Sequence, residues 1–220
     1  MKGKLIVIDG VDFSGKETQT AMAAERLKGE GIDVVPLTFP DYQSESSALV
    51  KMYLKGMFGA DPRKVDPYPV STFFAIDRYA SYVRKWSKEY EEGKIILADR
   101  YVTSNLIHQA AKIGSATEKK QFLEWLEDLE YEKFKLPRPD GVIFLDMPPE
   151  AVKSLMPGRS GEKDIHELDE DYLQRSYENA CEIAATRGWS RISCVAETRV
   201  RSREEIHREV YATIKKLIES

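Results

Sequence analysis

The string Gly10-Val11-Asp12-Phe13-Ser14-Gly15-Lys16 lies between an apolar run, Leu5-Ile6-Val7-Ile8, and a segment of helical composition that opens at Glu17. That order admits few folds. The apolar run reads as a strand buried on both faces, the glycines let the backbone wrap an anion, and the first amides of the helix point at it. Lys16 adds a mobile cation for β- and γ-phosphates. Gly10, Ser14, Gly15, Lys16, Glu17 and Thr18 are therefore the expected contacts of a nucleoside triphosphate. A G-x4-G-K string arises by chance in unrelated chains; the strand before it and the helix after it make this one informative. One position departs from the usual pattern. Glu17 stands where a Ser or Thr hydroxyl commonly meets magnesium, and the hydroxyl arrives one residue later at Thr18.

Apolar β-type runs recur at residues 5–8, 34–39, 95–98, 142–145 and 192–195, with helix-patterned segments between them. Such alternation predicts an α/β chain with a parallel sheet covered on both faces. Ligands in these sheets bind beyond the carboxyl ends of the strands. Asp9-Gly10, Phe39-Pro40-Asp41-Tyr42 and Asp99-Arg100-Tyr101 stand there and mark the expected site. Residues 44–56 and 69–92 read as helices of an excursion long enough to wall a substrate cleft. The stretch Met156-Pro157-Gly158-Arg159-Ser160-Gly161-Glu162-Lys163 reads as part of a lid-like flap at about 156–166, or as a plain solvated connection. In a helix over 118–134, Phe122, Trp125, Leu126 and Leu129 share one face, expected to meet the core or, alternatively, a second copy.

At 220 residues, 42% hydrophobic and 32% charged, the chain suits one domain spanning 1–220. Its formal charge of −4 without a basic run argues against nucleic acid as a partner. No apolar run approaches membrane-spanning length, and the first strand begins close to Met1, so the expectation is a cytoplasmic protein without membrane attachment. Cys181 and Cys194 fit no C-x-x-C or metal-ligand spacing and are expected to be reduced.

Asp99 and Arg100 follow the strand 95–98, where a carboxylate can organise magnesium and a guanidinium fork can meet a phosphate. The plainer alternative is an Asp capping the next helix beside a structural arginine. Phe74 and Arg78, four apart on one helix face, can stack on a base and bond its edge, although core packing and a surface ion pair would produce the same spacing. Asn105 and His108, a turn apart, can face the same cavity; His166 and His207 have no such company in sequence.

Taken in order, Gly10-Val11-Asp12, Gly15-Lys16-Glu17-Thr18-Gln19, Phe39-Pro40-Asp41-Tyr42, Phe74-Ala75-Ile76-Asp77-Arg78-Tyr79, Asp99-Arg100-Tyr101 and Ser104-Asn105 resemble the thymidylate kinase family along nearly the whole chain. The resemblance implies a P-loop NTPase-type three-layer fold with a five-stranded parallel sheet flanked by helices, commonly in a homodimer. It also implies transfer of the γ-phosphoryl group of ATP to dTMP with Mg2+. On that basis Phe74 stacks on thymine, Arg78 and Asn105 read its edge, Arg100 grips the acceptor phosphate and Asp12 faces the 3′ hydroxyl. His108 falls where relatives carry a tyrosine near C2′. Phe39, Tyr42 and Ser104 complete the substrate set, Asp99 serves the metal, and Lys16, Arg100 and Asp12 serve catalysis. Family members place a further catalytic arginine in the loop or in the lid; Phe13 occupies the loop position here, so Arg159 is the natural substitute. Two other readings stand beside this one. A deoxynucleoside kinase would need a carboxylate base for a 5′ hydroxyl, which Asp41 offers, and a nucleotide-binding regulator without kinase activity is suggested by Glu17. A GTPase switch is disfavoured because no N-K-x-D string is present.

Overall fold

Five strands, β1 (Leu5–Asp9), β2 (Val34–Thr38), β3 (Ile95–Asp99), β4 (Gly141–Asp146) and β5 (Ser190–Ser193), form one parallel sheet in the order β2-β3-β1-β4-β5. The computed structural model describes residues 2–155, 165, 166, 169–197 and 199–219. Along β1 the side chains alternate between two cores. Ile6 and Ile8 join Leu97, Ile143 and Leu145 against α1 (Lys16–Gly29) and α9 (Arg203–Glu219), while Leu5 and Val7 join Ile96, Ala98 and Val142 against Trp86, Tyr101 and Tyr131. This is the period-2 pleat of a strand buried on both faces.

The chain leaves β1, crosses to the edge at β2 and returns to β3 beside β1, before β4 pairs with the other side of β1. Ile8 lies level with Asp99 on β3, and Asp9 level with Phe144 on β4. Order reversal at β1 opens a crevice beyond the strand ends. The loops after Asp9 and Asp99 meet in it.

Between β2 and β3 lie α2 (Ala48–Leu54), α3 (Pro67–Ser81) and α4 (Ser87–Glu91). The expected helix over 44–56 is a 3-10 turn at Glu45–Ser47 followed by α2. Asp66 caps α3 by accepting from the Tyr68 N–H at 2.8 Å. The expected helix over 69–92 is interrupted after Ser81 by a π-helical turn, Tyr82–Trp86, which leaves Trp86 wholly buried. After β3 come α5 (Val102–His108) and α6 (Ala116–Glu127). The single face expected over 118–134 is likewise broken. A π turn at Asp128–Lys133, with Phe134 N–H donating to the Leu129 carbonyl at 2.9 Å, leaves Leu129 half-buried and puts Glu130 in the interior beyond Phe122 and Leu126.

α7 (Pro149–Leu155) and α8 (Glu170–Thr186) follow β4. The last strand begins and ends two residues earlier than its apolar residues suggest. Only Ile192 is buried in this edge strand, and Val195 instead pairs with Val200 in a two-residue ribbon, β6 (Val195–Ala196) and β7 (Arg199–Val200). Of the expected flap, only Ile165 and His166 fall within the described residues, and Arg159 lies outside them. No described helix is long and apolar enough to cross a membrane.

Candidate active site

The loop after β1 depends on backbone conformations that suit glycine. Gly10 has φ 158, and a Cβ there would come within 2.7 Å of the Leu145 carbonyl; Gly15, with φ 85, caps α1 in the left-handed region. Within the loop, Lys16 Nζ donates to the Val11 carbonyl at 2.6 Å and to Ser14 Oγ at 3.4 Å. Burial and the neighbouring Arg100 lower the Lys16 ammonium to about 8, with Asp12, Asp99 and Asp9 opposing them. Asp9 itself is fully buried. It accepts from the Gly10 N–H at 2.8 Å, from Thr103 Oγ1, and from Ser104 Oγ at 2.9 Å, so it ties the phosphate loop to the first turn of α5. Ser104, expected as a substrate contact, lines the cleft but commits its hydroxyl proton to Asp9.

Arg100 occupies the left-handed region, φ 66, at a cost of roughly 1 kcal/mol for a residue with a Cβ. Its N–H donates to the Ile8 carbonyl at 3.1 Å. The guanidinium donates to Asp12 through Nη2, and through Nη1 to His108 Nε2 at 3.2 Å and Ser104 Oγ at 3.5 Å. Burial alone would raise the Asp12 carboxyl, but Arg100 holds it well below the usual carboxylate range. Because an arginine can only donate, His108 Nε2 accepts and the ring proton sits on Nδ1, which is buried with no partner among the described residues. Burial keeps this imidazole neutral, far below its ordinary pKa, despite Asp12 beside it.

His166, which had no company in sequence, belongs to this site. Its ring stacks on His108 with centroids 5.9 Å apart, and its Nε2 lies 2.6 Å from the Tyr53 hydroxyl, which in turn receives a hydrogen bond from Lys112 Nζ at 3.0 Å. Burial lowers the His166 imidazole to about 3 and the Lys112 ammonium to about 7. Ligand atoms of Asp12, His108 and His166 come within 4.8 Å of one another, a spacing a metal could use. Arg100 already supplies the cation there, bound to two of the three.

At the other end of the cleft, Phe74 is half-buried, edge-on to Tyr53 at 6.2 Å. The surface ion pair that sequence allowed for Arg78 is excluded. Arg78 is 2% exposed and forks onto a fully buried Glu130, Nε to Oε2 at 2.6 Å and Nη2 to Oε1 at 2.5 Å. Asn105 Nδ2 donates to the Ser71 carbonyl at 3.2 Å and to Glu130 Oε1 at 3.4 Å. Glu130 escaped the sequence reading because an acid in an amphipathic helix normally faces solvent. The signal for it was its place four residues beyond Leu126 and eight beyond Phe122.

Phe39 and Tyr42 line the cleft. Asp41 does not: its N–H donates to Asp77 Oδ2 at 2.8 Å, and its carboxylate pairs with Lys85. The whole cleft, about 420 Å³, runs from the phosphate loop past Arg100 to Phe74, Arg78 and Asn105. Asp99 lies where the loop meets it, and burial raises its carboxyl in spite of Lys16 and Arg100. Its Oδ1 is buried with no hydrogen-bond partner among the described residues, so the donor set suits a hard cation there. Glu17, exposed in the first turn of α1, makes no hydrogen bond or ion pair among the described residues, and Thr18 lines the cleft beside it.

A cleft that joins a phosphate loop to a buried arginine and a half-buried phenylalanine has counterparts in known proteins. A family model described as thymidylate kinase matches residues 8–210. The chain is 32% identical over 213 residues to a probable thymidylate kinase of Thermococcus onnurineus, covering 95% of this chain and 96% of that one. It is 30% identical over 193 residues to the thymidylate kinase of Mycobacterium tuberculosis, covering 84% and 87%. Among solved structures, a thymidylate kinase from Candida albicans shares the fold with a TM-score of 0.71 at 20% identity, covering 98% of this chain and 92% of that chain. One from Ehrlichia chaffeensis gives 0.68 at 19%, covering 97% and 100%. With the matched model spanning most of its length and near-full-length relatives above 30% identity, the chain belongs to the thymidylate kinase family.

Proposed function

We propose that the protein transfers the γ-phosphoryl group of ATP to dTMP, giving ADP and dTDP. The observation that carries this reading is the continuity of one cleft from Lys16 through Arg100 to Phe74, Arg78 and Asn105. Lys16 now bonds neutral loop oxygens, which anionic β- and γ-phosphate oxygens can replace at little cost. Arg100 exchanges its hold on Asp12 for the acceptor phosphate, and the freed Asp12 carboxylate accepts from the sugar hydroxyl. At the base, Asn105 must turn Nδ2 toward the Ser71 carbonyl and Glu130, because both only accept. Its oxygen is then the group available to a pyrimidine N3–H, while Arg78 donates to the carbonyl at position 4. This pattern fits thymine or uracil and mismatches cytosine.

An acceptor phosphate is an anionic nucleophile and needs no strong base, so positioning and charge stabilisation suffice. A 5′ hydroxyl would require a base. Asp41, the carboxylate that kept deoxynucleoside kinase in play, is held away from the cleft by Lys85. Asp99 and Thr18 are the residues that would hold Mg2+, which when bound neutralises charge on the β- and γ-oxygens. Arg159, on its sequence position alone, is the candidate lid arginine. Ile76, Tyr79 and Val83, each more than 40% exposed along α3 and the turn after it, support a second copy as partner in a homodimer. A cytoplasmic location, with ATP and dTMP at hand, is part of the same reading. A coupled assay of ADP release with Mg-ATP and dTMP, dUMP, dCMP or thymidine tests the reading.

A further inference from the structure

We propose that Glu130 is a positioning residue that sets which pyrimidine the cleft accepts, by fixing Arg78 and Asn105 in one donor and acceptor arrangement. The inference rests on the acceptor-site reading above. Arg78 comes from α3, Asn105 from α5 and Glu130 from the π turn after α6. Their only shared partner among the described residues is the Glu130 carboxylate, with Oε1 receiving both Arg78 Nη2 and Asn105 Nδ2. Arg78 and Asn105 line the cleft, whereas Glu130 does not.

Two consequences follow from the chemistry of a carboxylate. It offers acceptors only, so it holds the arginine fork in a single plane and, together with the Ser71 carbonyl, disfavours the flipped Asn105 amide, whose oxygen would face Oε1. A flipped amide would present Nδ2 to the cleft, where it suits the bare N3 of cytosine instead of the N3–H of thymine. Stability is a weak reason for an ion pair in this position, since apolar packing of the same volume often serves a buried site as well or better. Glu130 lies within the π turn Asp128–Lys133, and such turns occur frequently at functional sites.

The experiment compares wild type with Glu130→Gln and Glu130→Asp as full-length proteins, using steady-state kinetics with ATP and either dTMP or dCMP, and thermal melting to establish folding. Glutamine keeps the shape but turns an amide donor toward Arg78 or Asn105. The expected result is a KM for dTMP raised about tenfold or more, a preference for dTMP over dCMP reduced about tenfold, and an unchanged KM for ATP. Asp keeps the charge but withdraws the carboxylate by one methylene, and should shift both quantities in the same direction by less. If the Gln variant does not fold, the Asp variant decides. Unchanged base preference in a folded variant overturns the inference, as does a parallel rise of both KM values, which a merely structural role would give. Wild type that fails to phosphorylate dTMP removes the acceptor-site reading and this inference with it; active wild type with indifferent variants removes this inference alone.

Discussion

Arg100 donates to Asp12 across 88 residues of sequence, joining the end of β3 to the phosphate loop after β1 at the centre of the cleft. On the proposed reaction, the pair holds a cation in the part of the cleft between the phosphate loop and the acceptor. It also explains why Arg100 tolerates a left-handed backbone, φ 66, since the surrounding loop holds that geometry through the Ile8 carbonyl. Arg100→Lys keeps the charge and loses the fork. Turnover with dTMP is expected to fall about 100-fold, in the range seen when one stabilising donor is lost, with ATP affinity changed little. Initial-rate kinetics together with ATP titration check this, and near-normal turnover would show that a point charge suffices.

Phe74→Ala should weaken dTMP binding about tenfold to a hundredfold and leave ATP binding alone, since stacking on a base is worth ~1–3 kcal/mol and the phosphate loop lies at the opposite end of the cleft. Calorimetric titration of each ligand into the folded variant measures it. Unchanged dTMP affinity would reduce Phe74 to the edge-on packing partner of Tyr53.

Acidification should destabilise the fold before its carboxylates titrate. His166 is lowered from 6.5 to about 3 and His108 well below 6.5, both first by burial, so the unfolded chain binds more protons than the folded one below the ordinary histidine pKa. Their contribution is complete above about pH 6.5 and is lost as pH falls toward the folded values, by up to ~1.4 kcal/mol per pH unit for each histidine. The Asp12 contribution, with its pKa depressed from 3.8, is kept down to about pH 4 and lost only below it, so the loss over the interval from about pH 6.5 to 5 comes from the histidines, with His207 adding in the same sense and the raised Asp99 carboxyl opposing them. Urea melts across that interval should show a steep loss of stability that His166→Asn makes shallower. A variant with the wild-type slope would place the proton uptake elsewhere.

Glu17 is exposed at the start of α1, yet its charge is among those that raise the Asp99 carboxyl, so the two acids share a field at the mouth of the loop. Removing one should weaken attraction for a divalent cation. Glu17→Ala is expected to raise the magnesium concentration for half-maximal rate several-fold, by roughly the ~1 kcal/mol of one screened charge, whereas Glu17→Ser, which supplies a hydroxyl, should not. Coincident magnesium titrations for wild type and both variants would leave Glu17 with only a favourable interaction with the helix dipole.

What could be read from the chain was what lies contiguously at strand ends. The Gly10–Lys16 string, Asp99-Arg100 and the alternation of apolar runs each carry their meaning in consecutive residues, and the sheet order puts them together. Interruptions by π turns were not legible, because the extra residue turns the helix face by roughly 100° and the residues beyond each turn are too few to show a second periodicity. Nor were Glu130, Asp9, Tyr53 and His166. Each acts through a partner 25 or more residues away in sequence, and alone reads as a solvated acid, a strand end, an aromatic of the core and an isolated histidine. Asp41 stood in a suggestive string, but its pairing with Lys85 keeps it out of the cleft, whereas Ser104 lines the cleft with its hydroxyl proton committed to Asp9.

The central claim, phosphoryl transfer to a nucleoside monophosphate, is tested most directly by identifying the product. The purified protein is incubated with Mg-ATP and either dTMP or thymidine, and the nucleotides are separated chromatographically. The account predicts dTDP and ADP in equal amounts from dTMP, and no dTMP from thymidine. Thymidine converted as fast as dTMP, or ADP released without dTDP, would contradict it.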